Sequence, residues 1–175
     1  MRNPSLQELL VKTAATHTVT YVLIGLMAFF SIDYPRLFSE TELRFLMRPT
    51  NDPLVAAGPL VQPIRGVLFG GLFYLLRDLL FCSRRGWLLL WMLLVVVGII
   101  GPFGAAPGSL EGMIYTVIPL RVQLAVMPEI LLQSFLLSFL LFQWISRPHN
   151  RWFSWTMWAA FAAAIGLPLI ALTSS

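Results

Sequence analysis

Charge is what this chain has least of. Only 11% of its 175 residues are Asp, Glu, Lys or Arg, against 58% that are apolar. An ordinary soluble domain carries about 25% charged and roughly 45–50% apolar residues. A soluble fold would have to hide several uninterrupted apolar runs in one small core, and a chain this short has too little interior for that. The mean hydropathy of +0.78 fits a membrane protein instead.

Cysteine and histidine are nearly absent. Cys82 is the single cysteine, which excludes an intrachain disulfide and a thiolate metal cluster. It reads as a free buried thiol, although its neighbours Arg84 and Arg85 also suit S-acylation at a membrane surface. His17 and His149 have no Cys or Asp at ligand spacing, so no metal site is expected. The HExxH, GxSxG and phosphate-cradling motifs are missing. No Ser or Cys stands beside a base, as nucleophilic catalysis would need. The expectation is a non-enzymatic protein without a cofactor; an acid/base role for Glu129 with Glu111 is the enzymatic alternative.

Two further absences matter. The net charge of +4 and pI near 9.8 do not signal a nucleic-acid partner, because the basic residues form no arm and stand mostly at the ends of apolar segments. The first apolar run lacks an A-x-A cleavage pattern, so it reads as a retained span. With no internal repeat and no low-complexity linker, residues 1–175 read as a single transmembrane helical domain.

What is present is a row of apolar segments. Ser5 and Glu8 form a capping box ahead of a short amphipathic lead-in, Ser5 to Lys12, which lies at the membrane surface or extends the next helix. A first span is predicted from about Thr13 to Ile32. Ser39 and Glu42 form a second capping box, and a short interfacial helix is expected from about Glu40 to Arg48, ended by Pro49. The second span runs from about Leu54 to Phe81. Its prolines, Pro59 and Pro63, should kink it or leave its first third broken. The third, Trp87 to about Ile100, carries nothing that does chemistry, and Trp87 and Trp91 suit an interfacial belt. After the Gly/Pro-rich run GPFGAAPGSLEG, a fourth begins between Met113 and Val122 and ends near Ile145. A fifth covers Trp152 to about Leu172. The expected fold is therefore all-α: a compact bundle of about five transmembrane helices, with the interfacial helix in the first outer loop.

Positive charge orients the bundle. Arg2, Lys12, Arg77, Arg84, Arg85, Arg147 and Arg151 fall on one side, and Arg36, Arg44, Arg48, Arg65 and Arg121 on the other. The bias predicts a cytoplasmic N-terminus in the inner membrane and an external C-terminus.

The stretch from Asn51 to Asp78 is the one that the chain turns on, because Arg65 stands well inside its apolar run. An ionisable residue at membrane depth is costly and marks a functional site by default. Arg65 lies 19 residues before Arg84, and Glu129 lies 18 before Arg147, which places both about 27–29 Å from the cytoplasmic surface. Glu129, Gln133 and Gln143 share one stripe, the two glutamines at about ±40° from the acid. Matching depth predicts that Arg65 and Glu129 pair or flank one polar pocket, with Gln133 and Gln62 nearby. Arg48, Asp52, Glu111 and Arg121 are secondary candidates on the same outer side. Such a pair either fixes helix register alone, as modest intramembrane polar pairs often do, or serves a ligand.

Besides the lipid bilayer, the expected partners are other membrane subunits, docked through the GxxxG face of Gly66 and Gly70 and the small-residue face of Ala159 and Ala163. Two functional classes follow. One is an accessory or scaffold subunit of a membrane complex. The other is a small transporter or binding protein for an anionic or lipid-like ligand, with arginines at an outward mouth and Glu129 as a protonatable gate; the missing repeat symmetry counts against a familiar transporter design.

Overall fold

The computed structural model describes residues 3–32, 34–35, 37 and 42–173, with Glu42 described by its backbone alone. Among the described residues there is no strand and helix makes up 79%, which establishes the all-α class. Three helices are long and apolar enough to cross a membrane: Leu6–Ser31, Leu120–Ser146 and Arg151–Thr173.

Helix α1, Leu6–Ser31, is continuous. The Ser5 side chain accepts from the Glu8 amide at 3.2 Å, so the amphipathic lead-in is the first turns of the span and not a separate surface helix. Of the predicted interfacial helix, Glu42–Phe45 forms a 3-10 turn. Its expected capping residue Ser39, with Glu40, lies outside the described residues.

The second apolar stretch is broken into α2 (Pro53–Ala56), α3 (Gly58–Leu75) and α4 (Arg77–Phe81). Pro59 occupies the first turn of α3, where a missing N–H costs nothing, and Pro63 lies inside the helix. At that turn the Gln62 amide bonds the Gly58 carbonyl at 3.1 Å. The break after Leu75 comes at Leu76, whose φ of −101° and ψ of 9° leave the helical basin.

Helix α5, Gly86–Leu93, passes into a π-helix over Leu94–Ile100. That wider segment holds Val95, Val96, Val97, Ile99, Ile100 and Gly98, the poorest α-helix formers of the run. Within the following loop, Ser109 caps a short helix α6, Leu110–Tyr115, which the Gly/Pro content had hidden. Helix α7, Leu120–Ser146, begins after Pro119, and α8 is Arg151–Thr173. Asn150 starts α8 by accepting from the Phe153 amide at 3.1 Å.

Helix α1 makes its most extensive contact with α3, and also packs on α7 and α8. Glycine explains the first contact. A Cβ on Gly66 would stand 2.5 Å from the Ala14 Cα, and one on Gly70 would stand 2.9 Å from the Leu10 Cα, so the two backbones touch. The GxxxG face is thus used inside the chain, not kept for another subunit. Ala159 and Ala163, by contrast, are exposed on α8.

The densest core lies at the end that holds the N-terminus, where Leu9, Phe73, Leu80, Phe81, Leu90, Leu141, Phe142 and Ile145 form one cluster. Polar contacts tie the same end together. Asn3 donates to Asp78 at 2.5 Å, and Lys12 reaches the Trp144 carbonyl at 3.3 Å. Trp87 and Trp91, both partly buried, meet Phe135 of α7 edge-on, and the Trp91 indole donates to Ser134 at 3.2 Å. Cys82 is exposed rather than buried, in the turn between α4 and α5. At the opposite end the core is thin, with Leu43, Ile118 and Val122 as its buried cluster. That thinness leaves room for a cavity.

Candidate functional site

The cavity has a volume of about 720 Å³ and lies at the end of the bundle away from the N-terminus. Helix α1 contributes Tyr21, Gly25 and Phe29; the first loop contributes Tyr34, Leu43, Leu46, Met47, Arg48 and Thr50. Leu54, Val55 and Gly58 come from the start of the broken second stretch, and Val122, Gln123, Val126, Glu129 and Ile130 from α7. The wall is mostly apolar, with a few polar groups converging on it. Its volume falls within the roughly 300–1,000 Å³ of small-molecule sites.

Glu129 is the carboxylate of this wall. One oxygen accepts the Tyr34 hydroxyl. Burial, together with this hydrogen bond and the charge of Glu129, raises the Tyr34 phenol well above its ordinary value, so it stays a protonated donor. Tyr34 was not legible as a partner. It lies beyond the end of α1, 95 residues from Glu129 in sequence, and carries no signal beyond its place in the same outer loop.

Arg65 is placed otherwise than expected. It does not line the cavity, and among the described residues it forms no ion pair with Glu129 within 4.0 Å. It is exposed on α3, with its guanidinium 5.5 Å from the centre of the Phe69 ring. The reason is rotational: the face of α3 that meets α1 is given to Gly66 and Gly70, one residue and five residues on, so Arg65 is turned off the contact face.

Gln62 belongs to a different contact. Its side-chain oxygen is 3.1 Å from the His17 Nε2, with His17 edge-on to Phe69 at 5.3 Å. This pair is buried between α1 and α3, and the His17 Nδ1 has no hydrogen-bond partner among the described residues. Three threonines of α1 turn back on their own helix: Thr16, Thr18 and Thr20 bond the carbonyls four residues back at 2.8–2.9 Å. Gln133 lies a turn beyond Glu129, half-buried, and does not line the cavity.

The secondary candidates divide. Arg48 lines the cavity and reaches Asp52 at 3.0 Å. The other oxygen of Asp52 caps α2 through the Leu54 amide at 2.8 Å. That amide, then Arg48, holds the Asp52 carboxyl below its usual range. Glu111 and Arg121 are exposed and stand outside the lining.

One structural residue escaped the sequence reading. Gln123, 1% exposed, accepts from the Gly108 amide at 3.1 Å. Its amide donates to the carbonyls of Ile118 at 2.8 Å and Gly112 at 3.2 Å. It clamps the loop before α7 to the cavity's edge. Gly108 suits this closure because its φ of +85° favours glycine. Gln123 lies about 120° round α7 from the Glu129 stripe, so periodicity did not group them. Among the described residues, no three His, Cys, Asp or Glu side chains gather as a metal site would require.

No family model matches the chain, and neither a curated protein nor a solved structure shows significant similarity to it.

Proposed function

We propose that the protein is an integral, multi-pass protein of the cytoplasmic membrane, with its N-terminus inside, that binds a lipid-like ligand in the cavity between α1, α7 and the first loop. The three long apolar helices support membrane insertion. The remaining spans of a five-span bundle would be supplied by the broken stretch α2–α4 and by α5 with its π-helical extension. The cavity is the observation that carries the ligand reading: a largely apolar chamber with Glu129, Tyr34, Tyr21 and Arg48 on its wall is built for an apolar chain bearing a polar head. Of the three arginines expected at an outward mouth, Arg48 lines the chamber and Arg65 and Arg121 do not.

Gly25 gives the test. It lines the cavity, and a Cβ there meets nothing within 4 Å, so a side chain can start from this position and Gly25→Phe adds a ring's bulk at the chamber wall. Native mass spectrometry from mild detergent should show a bound lipid-like molecule on the wild-type chain and its loss in Gly25→Phe. Equal retention by both would reject the cavity as the site. Orientation is read separately through exposed Cys82: an impermeant thiol reagent should label inside-out vesicles and spare intact cells.

A second reading, an accessory subunit of a membrane complex, is favoured by Arg65. Exposed on a helix and without an ion pair among the described residues, it is the group that an acid on a partner's helix would neutralise within the bilayer. In the same spectra, a stoichiometric second chain lost in Arg65→Gln would support that reading.

A further inference from the structure

We propose that the ligand of this cavity carries an ammonium head, received by Glu129, so that the site selects a cationic or amine-bearing amphiphile rather than an anionic one. This rests on the reading of the cavity as a lipid-like binding site and adds the sign of the head group.

The charges on the wall decide it. Among the described residues that line the chamber, Arg48 is the base and Glu129 the acid. Arg48 is already answered by Asp52 at 3.0 Å. Glu129 has no ion-pair partner among the described residues; it holds only the neutral hydroxyl of Tyr34. A half-buried carboxylate so placed is short of positive charge. An ammonium group supplies that charge together with donors for oxygens whose single side-chain partner is Tyr34. The surrounding rings agree in chemistry. Tyr21, Phe29 and Tyr34 all line the chamber, and aromatic faces attract an ammonium that has left water. The apolar remainder, including Leu43, Val122 and Val126, takes the hydrocarbon chain. Tyr34 holds the place of the head group, and the ligand's ammonium takes over or shares the carboxylate.

The test uses the full chain in a non-ionic maltoside detergent, titrated with dodecylammonium, dodecanoate and dodecanol and read by native mass spectrometry. The wild-type protein should bind dodecylammonium about ten- to a hundred-fold tighter than dodecanol, the size of one hydrogen bond to a charged group, and dodecanoate weakest. Glu129→Gln, which keeps an acceptor for Tyr34, should lower dodecylammonium to the level of dodecanol. Tyr34→Phe, which frees the carboxylate, should raise dodecylammonium binding about two- to tenfold. Preference for dodecanoate, or a preference for dodecylammonium that survives Glu129→Gln, overturns the head-group assignment and leaves the cavity reading intact. Binding of none of the three by folded wild-type protein removes the cavity reading itself. Should Glu129→Gln fail to fold, Tyr34→Phe decides, and no rise in affinity overturns the proposal.

Discussion

Replacing Gly66 by alanine adds one methyl group where α1 and α3 touch. The new Cβ would stand 2.5 Å from the Ala14 Cα and 3.0 Å from both the Ala14 nitrogen and the Thr13 carbonyl oxygen. All three are backbone atoms, so no side chain can swing away and the helices must part. Overpacking of this kind costs about 1–3 kcal/mol. Alanine returns about 1 kcal/mol of helix propensity, which leaves a net loss of roughly 0–2 kcal/mol by those same principles. Gly71, on the same helix, is the internal reference, because a Cβ there meets nothing within 4 Å. Gly71→Ala keeps the propensity gain without the clash and should be neutral or stabilising by about 0.5–1 kcal/mol. The contrast between the two variants is therefore about 1–3 kcal/mol, or roughly 2–12 °C in thermal midpoint for a chain of this size. Thermal unfolding in one detergent, followed by circular dichroism, measures it. Gly70→Ala, with a closest approach of 2.9 Å, should fall between them. If Gly66→Ala and Gly71→Ala unfold at the same temperature, the close contact of α1 with α3 is not what holds this bundle.

Three other outcomes are expected. Gln123→Leu strands the Gly108 amide and the Ile118 carbonyl, while the Gly112 carbonyl keeps Thr116; it should cost about 2–5 kcal/mol and open the 101–119 loop to limited proteolysis. Gln62→Leu leaves the His17 Nε2 unpartnered beside an Nδ1 that already is, at a cost of about 1–3 kcal/mol. Adding His17→Leu should restore part of that loss, as a double-mutant cycle in thermal unfolding would register. The Asp52 carboxyl is held below its usual range by the Leu54 amide and Arg48. Its folded value being the lower, its cap on α2 is fully present above the ordinary carboxylate value and is lost as pH falls through the folded one. A carbon-13 titration of Asp52 should show that lowered midpoint, which moves up in Arg48→Gln.

Some of this was decided by the amino-acid sequence alone. Scarcity of charge together with long apolar runs points to an all-helical chain, because unbroken runs satisfy their backbone in apolar surroundings within helices, whereas a closed β-barrel needs short alternating strands. Ser5 could be read locally as a starting signal, and the glycines at positions 66 and 70 as a place of close approach, since each acts through its own backbone or immediate neighbours. Counting residues along helices placed Glu129 and the first loop toward one end of the bundle. What rotation and packing decide was out of reach. Arg65 and Glu129 share a depth, yet depth says nothing of the direction a side chain takes round its helix. The glycine face that α3 gives to α1 turns Arg65 outward, and the loop after α1 brings Tyr34 to Glu129 instead. Gln62 went to His17 and Gln123 to its own loop for the same reason: a buried polar group takes whichever partner the fold carries within about 3 Å, and only the tertiary structure brings those partners together.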